Sequence, residues 1–285
     1  MLKENMGIPM SFSLNKDSVV AQLGWCEGND RIYVRIFYGK GCNAQVGRTV
    51  VAGSRSVPVF LSLGYGCNTV GTAIHEFGHI LGLLHQQMRT DRDEYIQIMW
   101  NNVVKYLKVN FQKAFSKDGS ITMRTQDPKY QGLLGRSHAL SHRDKLIVNR
   151  MYRCIDYWIR ECDLKYDPCL NEGYIGAECQ CICPPGTQGH RCETVTGTYY
   201  SDALPKCSRI ITKNGTMFGV TRDLQDDKGF LKTRTWCVYQ IIAPLGYYIS
   251  VEFTDFRLDE ISFNGQQKCV ISFLLIMMDN GPDAM

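Results

Sequence analysis

The run His75-Glu76-Phe77-Gly78-His79-Ile80-Leu81-Gly82-Leu83-Leu84-His85 concentrates metal-binding and acid–base side chains in eleven residues. It follows the spacing H-E-x-x-H-x-x-G-x-x-H. His75 and His79 are four apart, so on a helix they share one face and can hold one ion. Glu76, beside the first of them, can reach a water on that ion. If the helix simply continued, His85 would lie ~240° around the axis from His79 and ~9 Å further along. Gly82 removes that obstacle, because glycine tolerates the left-handed conformation that ends a helix and lets the chain swing back. Three neutral imidazoles leave zinc an open position, as a catalytic site requires, whereas a structural site is closed by a fourth ligand. The predicted cofactor is zinc, held by His75, His79 and His85, with Glu76 as the base.

The elements that must position these residues are legible as patterns. Val70 to Leu84 is the predicted metal-bearing helix. Arg31 to Phe37 alternates Ile32, Val34 and Ile36 against Tyr33 and Arg35, the pattern of a half-buried strand. Val57 to Leu63 is a second β-rich segment. Ser141 to Tyr152 carries Leu146, Ile147 and Met151 near helical spacing and reads as a second long helix. Met99 falls in a helical-looking stretch just after Tyr95. Helices packed on a twisted sheet imply an α+β fold.

Composition bounds the setting. The chain has 285 residues, enough for one sizeable core and smaller modules, and 13 cysteines, most from Cys154 onward. Such cysteine usage fits an oxidising compartment. Asn214-Gly215-Thr216 is a glycosylation sequon. A net charge of +4 with interspersed signs argues against a dedicated nucleic-acid binder; Lys105, Lys108 and Lys113 read as a solvated helix face. Met1 to Val20 lacks the apolar core of an export signal. The longest apolar run, Cys269 to Met278, is too short to cross a bilayer and reads as a buried strand. These features predict a secreted, extracellular protein whose chain as given lacks its export signal.

Beyond His85 the sequence continues Gln86-Gln87-Met88-Arg89-Thr90-Asp91-Arg92-Asp93-Glu94-Tyr95. This run resembles the astacin family of zinc metalloendopeptidases, whose members continue the third histidine as H-E-Q-x-R-x-D-R-D. Gly39-Lys40-Gly41-Cys42, Val46-Gly47-Arg48, Ser62-Leu63-Gly64-Tyr65-Gly66-Cys67, Ala114-Phe115-Ser116 and Asn149-Arg150-Met151-Tyr152-Arg153-Cys154 are further matches. The resemblance implies a zincin-like metallopeptidase domain, incomplete here, and hydrolysis of peptide bonds in protein or peptide substrates. It makes Val57 to Leu63 the edge strand beside the bound peptide. It implies disulfides Cys26–Cys154 and Cys42–Cys67.

Two further modules follow the peptidase at 1–155. Residues 158–193 resemble an EGF-like module, with implied pairs Cys162–Cys179, Cys169–Cys181 and Cys183–Cys192. Its few apolar residues imply that disulfides supply its stability. Residues 207–285 are similar to part of a CUB β-sandwich, with Cys207 and Cys237 paired, Val251 and Phe253 continuing a strand, and the module truncated. Both modules suit extracellular protein partners.

Three departures from the family qualify the reading. Gln86 stands where the family carries a glutamate that pairs with the mature N-terminus. Too little precedes Cys26 for the usual first strand and first long helix. The family's methionine turn, S-x-M-H-Y, with its tyrosine near the metal, is missing where Val109-Asn110-Phe111-Gln112 runs into Lys113-Ala114-Phe115. Neither Met99 nor Met123 replaces it. The expected function is a secreted zinc endopeptidase with impaired turnover; the alternative is a catalytically defective extracellular binding protein acting through its EGF-like and CUB modules.

Overall fold

The computed structural model describes residues 10–15, 18–24, 31–48, 58–103, 121–135, 139–200, 203–227, 236–254, 261–263 and 266–268. Cys26, the lysine cluster at 105–113, the Ala114-Phe115-Ser116 landmark, the place of the methionine turn and the apolar run at 269–278 lie outside them. The chain divides into two compact units, residues 1–86 with 136–202, and residues 87–135 with 203–285.

The first unit is built on a five-stranded sheet. Strands β1 (Met10–Asn15), β2 (Ser18–Gly24), β3 (Arg31–Phe37), β4 (Cys42–Ala44) and β5 (Val59–Leu63) lie in the order β1-β2-β3-β5-β4. The segment before Cys26 supplies an antiparallel hairpin, Met10 opposite Leu23 and Asn15 opposite Ser18. β3 and β5 are parallel, with Val34 opposite Val59, and β4 returns antiparallel to β5, with Cys42 opposite Leu63.

This order corrects one expectation. β5 is not the edge strand. It lies between β3 and β4, so β4 holds the edge. The cause is local: the Cys42–Cys67 disulfide ties the start of β4 to the loop after β5, with 5.6 Å between Cα atoms. Beyond the short β4, Gln45 continues the cover, donating its backbone N–H to the Phe60 carbonyl and accepting from the Phe60 N–H on its side-chain Oε1.

Alternation along β3 buries Val34 and exposes Tyr33 and Arg35. Val34, Val59 and Leu61 form one face of the core. Helix α1 (Val70–Ile80) packs on it through Phe77, Ile80 and the following Leu81. Thr69 caps α1, its Oγ1 accepting from the Thr72 N–H at 3.1 Å. Helix α2 (His142–Met151) starts in a capping box: Ser141 Oγ accepts from the Asp144 N–H, and Asp144 Oδ2 accepts from the Ser141 N–H. Arg153, in the left-handed region at φ 56°, breaks the chain direction before helix α3 (Cys154–Glu161).

Helix α3 runs past residue 155 into the cysteine-rich segment, burying Ile155 and Trp158. That segment holds disulfides Cys162–Cys179, Cys169–Cys181 and Cys183–Cys192. Its Tyr174 and Ile175 are each 1 % exposed and belong to the same core cluster as the sheet, α1 and α2. The segment leans on that core as well as on its disulfides. Two groups at the start of α2 hold it from outside: His142 Nε2 meets the Glu172 carbonyl at 2.7 Å, and Arg143 binds the Glu172 carboxylate through two nitrogens at 2.9 and 3.0 Å.

In the second unit, Ile96–Ile98 pairs antiparallel with Met123–Thr125 over a small cluster of Ile98 and Val103. The stretch after Tyr95 is thus a strand followed by a 3₁₀ turn, Trp100–Asn102, rather than a helix. Ile98 faces Met123 and Ile96 faces Thr125, and this non-local pairing outweighs the local helical pattern. Arg209–Ile211 pairs parallel with Tyr239–Ile241, next to the Cys207–Cys237 disulfide. Tyr247 to Phe253 is exposed and forms no strand: these residues have no ladder partner among the described residues.

Candidate metal centre

Helix α1 is four residues shorter than the sequence pattern suggested, and its end explains how three histidines meet. It stops at Ile80, and the chain closes a Schellman turn. The Gly82 N–H donates to the His79 carbonyl at 2.8 Å, and the Leu83 N–H to the Gly78 carbonyl at 2.9 Å. Gly82 has φ +93°, which only glycine adopts cheaply. The His79 carbonyl also accepts from the Gly47 N–H at 2.8 Å, which fixes the segment after β4 to the helix end.

The turn brings the ligand atoms together. His85 Nε2 lies 3.1 Å from His75 Nε2 and 3.1 Å from His79 Nε2. Among the described residues this trio is the one cluster whose donor atoms could share a metal ion. Tetrahedral zinc with nitrogens at about 2.0–2.1 Å would hold them about 3.3 Å apart, so little movement is needed. A hydrogen bond does not account for the arrangement as well. A single Nε2 hydrogen on His85 can serve only one of two neighbours. The Leu83 carbonyl lies 2.8 Å from His79 Nδ1 and can only accept. Nδ1 therefore carries the hydrogen, and Nε2 presents its lone pair to the centre.

Electrostatics favours the same state. Burial, followed by the neighbouring His79 and His85, pushes the His75 pKa below the ordinary histidine value. Its ring is neutral near pH 7, as a ligand must be. Glu76 is 5 % exposed, and its Oε2 is buried with no hydrogen-bond partner. Burial raises its carboxyl pKa, while His79 draws it partly back. An orphaned carboxylate next to three converging imidazoles fits a site built for zinc and a water.

Cys42, Cys67, Cys162, Cys169, Cys179, Cys181, Cys183, Cys192, Cys207 and Cys237 are joined as described above. Cys154 is disulfide-bonded and buried; its expected partner Cys26 lies outside the described residues. Asn214 is exposed on a turn next to Gly215 at φ +70°. Gln86 is exposed, with its amide 3.4 Å from the Leu84 carbonyl. Sequence reasoning did not find the Leu83 carbonyl or the Gly47 amide. The turn signal at Gly82 points to the first, while the second depends on packing between distant segments.

Residues 20–118 match the model of the astacin peptidase family. Blastula protease 10 of Paracentrotus lividus is 31% identical over 87% of this chain and 46% of its own length. Zinc metalloproteinase nas-37 of Caenorhabditis elegans is 30% identical over 85% of this chain and 31% of its own. The chain thus spans less than half the length of these relatives. High choriolytic enzyme 1, a hatching enzyme zinc-protease of the medaka fish Oryzias latipes, is 24% identical over 45% of this chain and 72% of that structure, at a TM-score of 0.37. A likeness that low says nothing further about this chain.

Proposed function

We propose that this chain, whose residues 20–118 carry an astacin-family segment, hydrolyses peptide bonds of proteins or peptides as a zinc-dependent endopeptidase. The observation that carries the reading is the convergence of three histidine nitrogens beside the unpartnered carboxylate of Glu76. His75, His79 and His85 would hold the ion. Zinc, when bound, supplies a Lewis acid that polarises the scissile carbonyl and makes water acidic enough to attack near neutral pH. Glu76 takes the proton of the attacking water on a carboxylate oxygen and returns it to the leaving amine. Its raised pKa brings it closer to the balance needed for both transfers. His79 keeps its aim through Nδ1 and the Leu83 carbonyl.

The finer reading includes impaired turnover. It rests on the absence of S-x-M-H-Y between Asp93 and Ala114. Losing one transition-state donor commonly costs ~10²–10³ in rate. An EGF-like module at 158–193 is supported by its three disulfides. A partial CUB module at 207–285 is supported by Cys207–Cys237. Secretion is supported by the number of disulfides and by the exposed Asn214, a site for glycosylation.

The deciding experiment measures zinc content and turnover of a general protein substrate, with and without chelator. The parental chain should hold one zinc, His79→Ala should lose most of it, and chelator should stop whatever cleavage there is. Unchanged stoichiometric zinc in His79→Ala would sink the assignment. A version with a family-type segment inserted between Gln112 and Lys113 should turn over faster; equal rates would remove the impaired-turnover reading.

A further inference from the structure

From the packing around the Gly82 turn, we infer that Met151 is a positioning residue for the metal centre. It acts as an apolar brace that helix α2 delivers to the turn carrying His85. The inference rests on the three-histidine zinc reading and adds a residue to it.

Gly82 is where the chain changes direction between the second and third ligands. Its φ of +93° strains any side chain there, and glycine itself leaves the space over its Cα unfilled. Met151 reaches that space. Its methyl carbon stands 3.1 Å from the point where a Cβ on Gly82 would be. Methionine suits the position, because an unbranched and flexible side chain fills irregular gaps.

The contact falls where two ligands are aimed. The turn places the Leu83 carbonyl against His79 Nδ1 and returns His85 Nε2 to 3.1 Å from both partners. One brace on the turn is already clear, the Gly47 amide on the His79 carbonyl. Met151 is the second, and it comes from the last residue of α2, whose Leu146 and Val148 are anchored in the core with Phe77 and Ile80 of α1. It is half exposed, at 45 %. It is not a member of the buried core cluster, and its methyl end lies against the turn.

The test uses the full chain with Met151→Ala and Met151→Leu. Zinc Kd is read by competition with a fluorescent chelator, and Tm is read separately in excess chelator. Met151→Ala should weaken zinc binding about tenfold, the lower range for residues that support metal ligands, with the metal-free Tm unchanged. Met151→Leu should stay within about threefold of the parent, because leucine restores much of the apolar volume. Parental affinity in Met151→Ala overturns the role. So does a metal-free Tm that falls along with affinity, which would mark Met151 as ordinary packing. A Met151→Leu as weak as Met151→Ala would also overturn it. If Met151→Ala fails to fold, Met151→Gln keeps the length and helix propensity and decides: weakened zinc supports the brace, and parental zinc overturns it. A parental chain that binds no zinc fails the zinc reading itself, a result distinct from a parent that binds zinc equally with its variants.

Discussion

Glu76 and Gly82 carry opposite kinds of necessity. Glu76 matters for its charge, since its buried Oε2 has no hydrogen-bond partner. Glu76→Gln should keep zinc at the parental level and abolish turnover, because it removes the base and leaves the ligands. Metal analysis beside a cleavage assay checks this, and full activity in the variant would assign the proton to another group. Gly82 matters for its backbone. Gly82→Ala must hold a left-handed residue at about 1–2 kcal/mol and press a methyl toward Met151. It should lower the Tm and weaken zinc retention together; an unchanged melt would mean the turn relaxes freely. The ligand set was legible in the sequence because it is local: an i, i+4 pair, an adjacent acid and a helix-ending glycine. Met151 and Gly47 were not legible as neighbours of that turn. They reach it through packing of α2 and of the segment after β4, and no spacing within the motif encodes those contacts.

Helix α2 is held at its first turn by three separable interactions, and each has its own signature. Ser141→Ala removes the capping box and should cost about 1 kcal/mol, read as a lower denaturation midpoint. His142 responds to pH. Burial, the main cause, lowers its pKa from the ordinary 6.5, partly offset by the Glu172 carbonyl. The folded state favours the neutral ring, so this contribution is full above pH 6.5 and fades as pH falls through the folded pKa. Glu172, lowered chiefly by its hydrogen bonds from Arg143, adds a second loss below the ordinary 4.5. That second step should be small, since both partners are about half exposed and solvent screens them. A stability–pH curve of His142→Gln should show a smaller higher step, the remainder belonging to His75, and keep the lower one; an unchanged curve would remove His142 from the account. At this scale the sequence was uneven. β3 and α2 follow clear periodicities, and each lies within a residue or so of its pattern. Which strand holds the sheet edge was illegible, because strand order depends on the Cys42–Cys67 tie and the β4–β5 register, not on either strand's own pattern. The strand at Ile96–Ile98 was missed for the same reason: its partner, Met123–Thr125, is far along the chain.

Across the first unit, one core serves both the metal-bearing helix and the cysteine-rich segment. Composition alone pointed to a segment standing on its disulfides, because two buried residues are too few to signal a shared core. Yet Tyr174 and Ile175 are among the most buried side chains of the cluster that holds Phe77 and Ile80. Truncating a buried aromatic costs about 3–5 kcal/mol. Tyr174→Ala should therefore lower the temperature at which zinc is released, although the substitution lies far along the chain from the ligands. Zinc release at the parental temperature would show that the two parts melt independently. The same join has a consequence for inheritance. Where modules are strung like beads, either neighbour can be lost or exchanged at the linker. Here the linker is helix α3, with Trp158 packed in the common core. A deletion beginning at residue 156 would uncover apolar surface on the part that remains. The two parts are therefore spliced like scion and stock, and recombination could trade them only as one piece.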